Sequence, residues 1–243
     1  MVIGHGVTLN RTSVARLGSR LAERGHRVLV WELPGHGEAA PADESWSVES
    51  LGAALAEAIR LQRFDELPVV VGVSLGGYAS LEAVGGPSAL GARGLVLIGC
   101  GSGPVPPPDP ERLLEITRWA SGTPLSRVTA STMAVAELGE DDHELEALVE
   151  RWTNDAQAGH RFLPAYLALY TRRDAARPAA VVAERAVPAV VVRGAQDPWV
   201  PHDAALGLAA ALGTVMTEVA AASHQPQHTR PWVVAQSLRP VLE

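Results

Sequence analysis

The residues of this chain that could carry chemistry begin with Ser74, which stands at the centre of Gly72-Val73-Ser74-Leu75-Gly76. Three consecutive valines, Val69 to Val71, precede that stretch and an apolar run from Tyr78 to Val84 follows it, so a buried strand is expected to turn at once into a helix. A turn that abrupt strains the residue at its tip, and glycines two places before and two places after remove side chains that would collide there. The serine hydroxyl would stand clear of the sheet. The unpaired backbone N–H groups opening the helix at Leu75 would face the same point, where negative charge gathers when a hydroxyl attacks a carbonyl. Two further residues suit that chemistry: Asp197, in a turn held by Pro198 and Pro201 after Val190-Val191-Val192, and His224, after the strand pattern Thr214–Val219. Each of the three stands just past an expected strand end, at the edge where open α/β sheets gather their ligand-facing groups.

Bringing three such residues to one edge requires parallel strands, and the chain supplies them in alternation with helical patterns. Met1-Val2-Ile3 ends a short strand that runs into Gly4-His5-Gly6. A helix capped by Thr12 or Ser13 follows, with Val14, Leu17 and Leu21 at helical spacing and Gly25 as its stop. Arg27–Trp31 is the next strand, Pro34-Gly35-His36-Gly37 breaks the chain, and Trp46 to Arg63 is helical. After the Ser74 turn come a strand at Gly94–Ile98 and, much later, one at Pro188–Arg193, a helix at Asp203–Leu212, the Thr214–Val219 strand and a closing helix at Pro231–Leu242. Near-continuous apolar strands separated by helices predict an α/β fold: a mostly parallel central sheet covered by helices on both faces.

The alternation stops between about residues 101 and 180. That interval opens with Pro104, Pro106, Pro107, Pro108 and Pro110, holds no strand pattern, and shows helices around Glu111–Trp119, Glu144–Trp152 and Leu163–Tyr170, the middle one with a capping box from Asp141 and Glu144. The expected organisation is a core of residues 1–100 and 181–243 with a helical cap at 101–180. The aromatic residues Trp119, Trp152, Phe162, Tyr166 and Tyr170 either pack this insertion onto the core or line a ligand cavity.

Composition narrows the chemistry. The chain has 243 residues, 47% of them hydrophobic, enough for a sizeable core. All 20 strong bases are arginines; with no lysine, Schiff-base chemistry, lysine bases and covalently held pyridoxal phosphate are excluded. A net charge of −7 without a basic patch argues against nucleic acid. The single Cys100 has no thiol partner, the 8 histidines are scattered without metal-ligand spacing, and no phosphate-cradling glycine motif is present, so neither metal nor cofactor is expected. No leader-like or membrane-spanning stretch follows Met1, which makes a cytoplasmic protein the expectation. The arginine- and alanine-rich usage resembles that of high-GC bacteria.

Taken together, the motifs resemble the α/β-hydrolase superfamily, in the capped branch of small esterases, lactonases, thioesterases, carbon–carbon bond hydrolases and cofactor-free haloperoxidases. The resemblance spans nearly the whole chain. His5-Gly6 is similar to the His-Gly of the oxyanion loop, Pro34-Gly35-His36-Gly37 to the Pro-Gly-His-Gly turn, and Gly72–Gly76 to the nucleophile elbow. Gly194-x-x-Asp197-x-x-x-Pro201 resembles the acid loop and His224-x-Pro226-x-x-x-Arg230-Pro231 the histidine loop, in the superfamily's order of serine, acid, histidine. Departures are Glu32 before the Pro-Gly turn, Thr229 after the histidine, and a chain that starts inside the His-Gly strand, so that either the sheet is short at this edge or the start lies upstream. His228 is a second histidine near the motif, at a position the family gives to packing.

The resemblance implies a catalytic set of Ser74 as nucleophile, His224 as general base and Asp197 as its orienting acid, with the backbone N–H groups of Val7 and Leu75 as the oxyanion hole. Candidate substrate contacts are His5, Trp119, Trp152, Tyr166, Tyr170 and Trp199; Arg161, Arg172, Arg173 and Arg177 are expected to form a solvated helix face, with an anionic substrate group as the alternative they could meet. The expected activity is cleavage of an ester, thioester or lactone of a small, possibly carrier-bound acyl substrate. Acyl transfer or cyclisation through the same acyl-serine, and a non-enzymatic ligand receptor on the same fold, are the alternatives. The insertion is expected to act as a lid that sets substrate choice and supplies no catalytic group.

Overall fold

The computed structural model describes residues 1–40, 46–105, 109–154, 158–172 and 174–243. In chain order the first elements are β1 (Val2–Gly4), α1 (Thr12–Ala22), β2 (Leu29–Trp31), α2 (Val48–Leu61), β3 (Val69–Val73), α3 (Leu75–Gly85) and β4 (Gly94–Ile98). Helices α4 (Pro110–Ala120), α5 (Arg127–Leu138), α6 (Leu145–Asn154), α7 (Ala158–Thr171) and α8 (Ala176–Glu184) follow. The chain then returns to the sheet with β5 (Ala189–Gly194), α9 (His202–Ala211) and β6 (Met216–Val219), and closes with α10 (Pro226–Thr229), α11 (Pro231–Ser237) and α12 (Arg239–Leu242).

The six strands form one sheet in the order β2-β1-β3-β4-β5-β6, and every neighbouring pair is parallel. Alternate side chains of each strand enter different cores, because successive residues of a strand point to opposite faces. Val69, Val71 and Val73 of β3 join Ile3, Val96 and Val192 in a core shared with Leu17 of α1 and Val234 of α11. Val70 joins Val2, Leu95 and Val191 on the other face, against Leu51 of α2, Leu81 of α3, Val182 of α8 and Leu208 of α9. With helices needing burial against both faces, the valine-rich β3 has no solvent side, and each such buried valine side chain contributes about 1.5–3 kcal/mol. Among the described residues no helix is long and apolar enough to cross a membrane.

Several boundaries differ from those the sequence predicts, each for a local reason. Strand β2 is shorter than Arg27–Trp31 because its partner β1 offers only three residues, from Val2 opposite Leu29 to Gly4 opposite Trp31. Helix α1 is capped by neither Thr12 nor Ser13; Asn10 Oδ1 accepts from both the backbone N–H and the hydroxyl of Thr12, at 2.9 and 2.7 Å. At the start of α6 it is Asp142, not Asp141, whose Oδ1 accepts the Glu144 N–H at 2.9 Å. The expected closing helix is split at Leu238, where Pro240 has no N–H to continue the ladder.

Between β4 and β5 the structure adds two helices that the sequence pattern hides. The buried face of α5 is mostly Ala130, Met133, Ala134 and Leu138, and alanine gives a weak apolar signal. Helix α8 spans residue 180, where the cap was expected to end, and it packs on α3, with Arg185 donating to the Val84 carbonyl at 2.8 Å.

Candidate active site

Ser74 occupies the sharp turn between β3 and α3 with φ 51° and ψ −119°, a conformation that costs an L-residue about 1–3 kcal/mol and persists only where its surroundings enforce it. Enforcement is visible on both sides. The Ser74 N–H donates to the Ile98 carbonyl of β4 at 2.8 Å, and its carbonyl accepts the Tyr78 N–H at 3.0 Å as α3 begins. The Cys100 thiol lies beneath, donating to the Ser74 carbonyl at 3.4 Å; it is buried, and that burial, above all, pushes its pKa up to about 12.

Asp197 follows β5 and His224 follows β6, and the two meet. His224 Nδ1 and Asp197 Oδ2 are 2.8 Å apart and both residues are buried. The other carboxylate oxygen, Oδ1, accepts the backbone N–H groups of Trp199 at 2.8 Å and Val200 at 3.1 Å, so Asp197 is satisfied on both sides. Burial alone would raise the Asp197 pKa, but the His224 charge, its hydrogen bond and the two amides outweigh burial and hold the carboxyl below its usual range. Burial likewise works against a charged His224, and the Asp197 charge and the hydrogen bond to it overcome that, holding the imidazole above its ordinary value. Gly99, at φ 62°, makes room for the ring, since a Cβ there would lie 2.9 Å from His224 Cε1. Ser74 and His224 line one cavity of about 310 Å³.

Val7 and Thr8, which follow His5-Gly6, line the same cavity. His5 is fully buried; its Nε2 accepts the Leu33 N–H at 3.1 Å, which leaves the proton on Nδ1 to donate to the Gly6 carbonyl at 2.8 Å. Burial, then the neighbouring His36, lowers its pKa to about 3, so it stays neutral. Those contacts tie β1 to the Pro34-Gly35 turn. Val7 follows on the cavity lining, and Leu75, next to Ser74, opens α3.

Of the residues expected to touch substrate, Tyr166, Tyr170 and Trp199 line the cavity, with the Tyr170 hydroxyl 2.8 Å from that of Tyr166. His5, Trp119 and Trp152 do not line it. The two tryptophans are buried and pack edge to face, ring centroids 6.4 Å apart, because the insertion needs large side chains to seal it onto the core. His228 is outside the lining too, with Nε2 3.1 Å from Glu144 Oε2. Of the four arginines that could have met an anionic group, Arg172 is buried over the Tyr78 ring at 3.9 Å and donates to the Gly103 carbonyl, Arg177 does not line the cavity, and Arg173 and the side chains of Arg161 and Phe162 lie outside the described residues. Among the described residues, the cation on the lining is Arg112 of α4, 4.1 Å over the Trp199 ring. Glu137, Met133 and Tyr78 are among the lining residues that sequence reasoning missed; Tyr78 comes soon after the Ser74 turn, which was a usable signal, whereas Glu137 lies in the unpatterned α5. Among the described residues no group of three or more His, Cys, Asp or Glu could hold a metal.

A family model, Alpha/beta hydrolase family, matches residues 1–236, and the chain belongs to that family. Solved structures of similar fold include an esterase from Thermogutta terrifontis, 22% identical, TM-score 0.74, covering 99% of this chain and 88% of that one. An enol-lactonase from Burkholderia xenovorans is 19% identical with TM-score 0.78, covering 99% and 90%. The 2-hydroxy-6-oxo-6-phenylhexa-2,4-dienoate hydrolase from a Rhodococcus species is 20% identical with TM-score 0.77, covering 99% and 89%. Among curated protein sequences none matches significantly.

Proposed function

We propose that this chain is a serine hydrolase that cleaves an ester, thioester or lactone of a small acyl substrate through an acyl-Ser74 intermediate. The observation that carries this reading is the buried 2.8 Å His224–Asp197 pair, opening onto the same cavity as a serine held at φ 51°. With Nδ1 committed to Asp197, the neutral imidazole keeps its lone pair on Nε2, the atom able to take the Ser74 proton. Ser74 Oγ then bonds to the acyl carbon and the carbonyl oxygen becomes an oxyanion, for which the N–H groups of Val7 and Leu75 are the donors, each worth about 3 kcal/mol in the transition state. Collapse breaks the bond to the leaving group, which receives the proton from His224. Water, deprotonated by the same imidazole, attacks the acyl carbon; the bond to Ser74 Oγ breaks, Oγ takes the proton back from His224, and the acid is released.

The cavity's size and walls support the substrate class. A volume of about 310 Å³ suits a short acyl group. Val7, Met133, Leu169 and Val200 offer it apolar contact, and Met133, Tyr166 and Leu169 come from the insertion, which acts as the lid. The likeness to an esterase and an enol-lactonase favours the same chemistry. Incubation with p-nitrophenyl esters and acyl thioesters of graded chain length tests it: the free acid should form fastest with short chains, and Ser74→Ala should abolish its formation. Turnover that survives Ser74→Ala would overturn the reading.

A further inference from the structure

Glu137 is buried, yet it lines the cavity with Ser74 and His224, and no step of the serine chemistry above uses it. Its carboxyl is held from behind. Oε2 accepts from Gln225 Nε2 at 2.6 Å, and Gln225 Oε1 in turn accepts from Gln227 Nε2, both glutamines being buried. The loop that carries them is fastened to the end of α5, where the Glu137 carbonyl accepts the Gln225 N–H at 2.9 Å and the Ala136 carbonyl accepts the Ser223 hydroxyl at 2.6 Å. The second carboxyl oxygen, Oε1, is placed differently: no group among the described residues bonds it, and it is not sealed within the protein. One oxygen of a buried carboxyl is pinned, and the other is left open to the cavity.

A buried oxygen that can hydrogen-bond and has no partner costs free energy. An acyl chain of methylenes alone would displace water from Oε1 and leave it unmatched. Met133 shows which part of a substrate would lie there: it stands one turn before Glu137 on α5, on the same face, and lines the same cavity, so the carboxyl belongs to the wall that meets the acyl chain. Burial, above all, raises the Glu137 pKa, and with Oε2 taken by an N–H donor the proton of the neutral acid belongs on Oε1. A hydroxyl suits this group in either state, because its oxygen accepts from the acid and its proton can go to a carboxylate.

We propose that Glu137 Oε1 is the specificity contact for a hydroxyl on the acyl chain, so that the substrate is an ester, thioester or lactone of a short hydroxy acid. The proposal rests on the serine-hydrolase reading and names the substrate class within it. No bond is made or broken at Glu137. Its part is to pair with a polar substituent that a plain acyl chain lacks, from a carboxyl whose orientation Gln225 has already set.

The test is hydrolysis by the intact chain of ethyl esters of short straight-chain acids, each compared with its analogues carrying a hydroxyl at successive carbons. At one hydroxyl position kcat/KM should exceed that of the plain ester by about 10-fold or more, because the plain chain leaves Oε1 unpaired. Glu137→Leu should erase that preference and still turn over the plain ester. Glu137→Gln, which keeps an acceptor for Gln225 and turns an N–H toward the cavity, should retain most of it. Glu137→Asp draws the carboxyl back by a methylene and should lose most of it, and this variant decides if the leucine protein does not fold. Where the ethyl esters turn over too slowly to compare, the free acids decide: the hydroxy acid should protect wild-type Ser74 from a fluorophosphonate at about 10-fold lower concentration than the plain acid. Equal treatment of plain and hydroxylated compounds at every position, or a folded Glu137→Leu that keeps the preference, overturns the proposal and leaves the carboxyl as a hydrated part of the wall. A wild type that hydrolyses none of the esters and takes no fluorophosphonate on Ser74 contradicts the serine reading itself, which separates the two failures.

Discussion

A Cβ on Gly76 would come within 2.4 Å of the His5 carbonyl oxygen, so the first turn of α3, which follows Ser74, is pressed directly against the His-Gly loop. Under the proposed mechanism, that contact would set the spacing between the Leu75 and Val7 amides. Gly76→Ala forces backbone apart where no flexible side chain can yield, at a cost of about 1–3 kcal/mol in stability. Ester turnover should fall by far more than the loss of folded protein explains. Urea denaturation and kcat/KM on the same preparation check both halves.

Asp197 holds His224 in one tautomer. In Asp197→Asn the amide can present its N–H to Nδ1 and put the imidazole proton on Nε2, where it blocks the base. We expect kcat to fall about 10⁴-fold with the circular dichroism spectrum unchanged. Asp203, in the first turn of α9, serves as the control, and Asp203→Asn should leave kcat near wild type.

The pH profile follows from the direction in which His224 is shifted. Only the neutral imidazole can accept the Ser74 proton, and Asp197 holds the pKa above the ordinary 6.5, at about 9, against the opposing effect of burial. Activity should therefore climb with rising pH, with the midpoint of kcat/KM on the alkaline side of 6.5. A midpoint at or below 6.5 would mean that Asp197 does not stabilise the imidazolium.

The two aromatic groups of the insertion should behave differently. Trp152→Ala removes a buried ring packed against Trp119 and should cost about 3–5 kcal/mol in stability. Tyr166→Phe leaves the core alone and removes a hydroxyl at the cavity, which should change KM and acyl-chain preference with little effect on stability. Thermal melts and a chain-length series of p-nitrophenyl esters distinguish the two.

Much of this arrangement was legible in the sequence because its signals are local. The Val69–Val71 run, the glycines around Ser74 and the prolines after Asp197 each dictate backbone geometry within a few residues, and the strands carrying them fell where expected. The insertion was harder. Helix α5 buries alanines, which leave no stripe, so neither it nor Glu137 could be anticipated. Large aromatic residues misled in the other direction: Trp119 and Trp152 have the character of ligand contacts, but the same size and apolarity make them the seal between insertion and core. Which side of a helix faces a cavity depends on how helices pack, and Arg112, Met133 and Glu137 owe their places to contacts distant in sequence.

The most direct test of the account is the intact mass of the protein after incubation with a fluorophosphonate. Wild type should gain the mass of one phosphonyl group, peptide mapping should locate it on Ser74, and Ser74→Ala should gain none. Labelling of the Ser74→Ala protein, or a folded wild type that stays unmodified across the pH range in which His224 becomes neutral, would contradict the claim that Ser74 is the nucleophile.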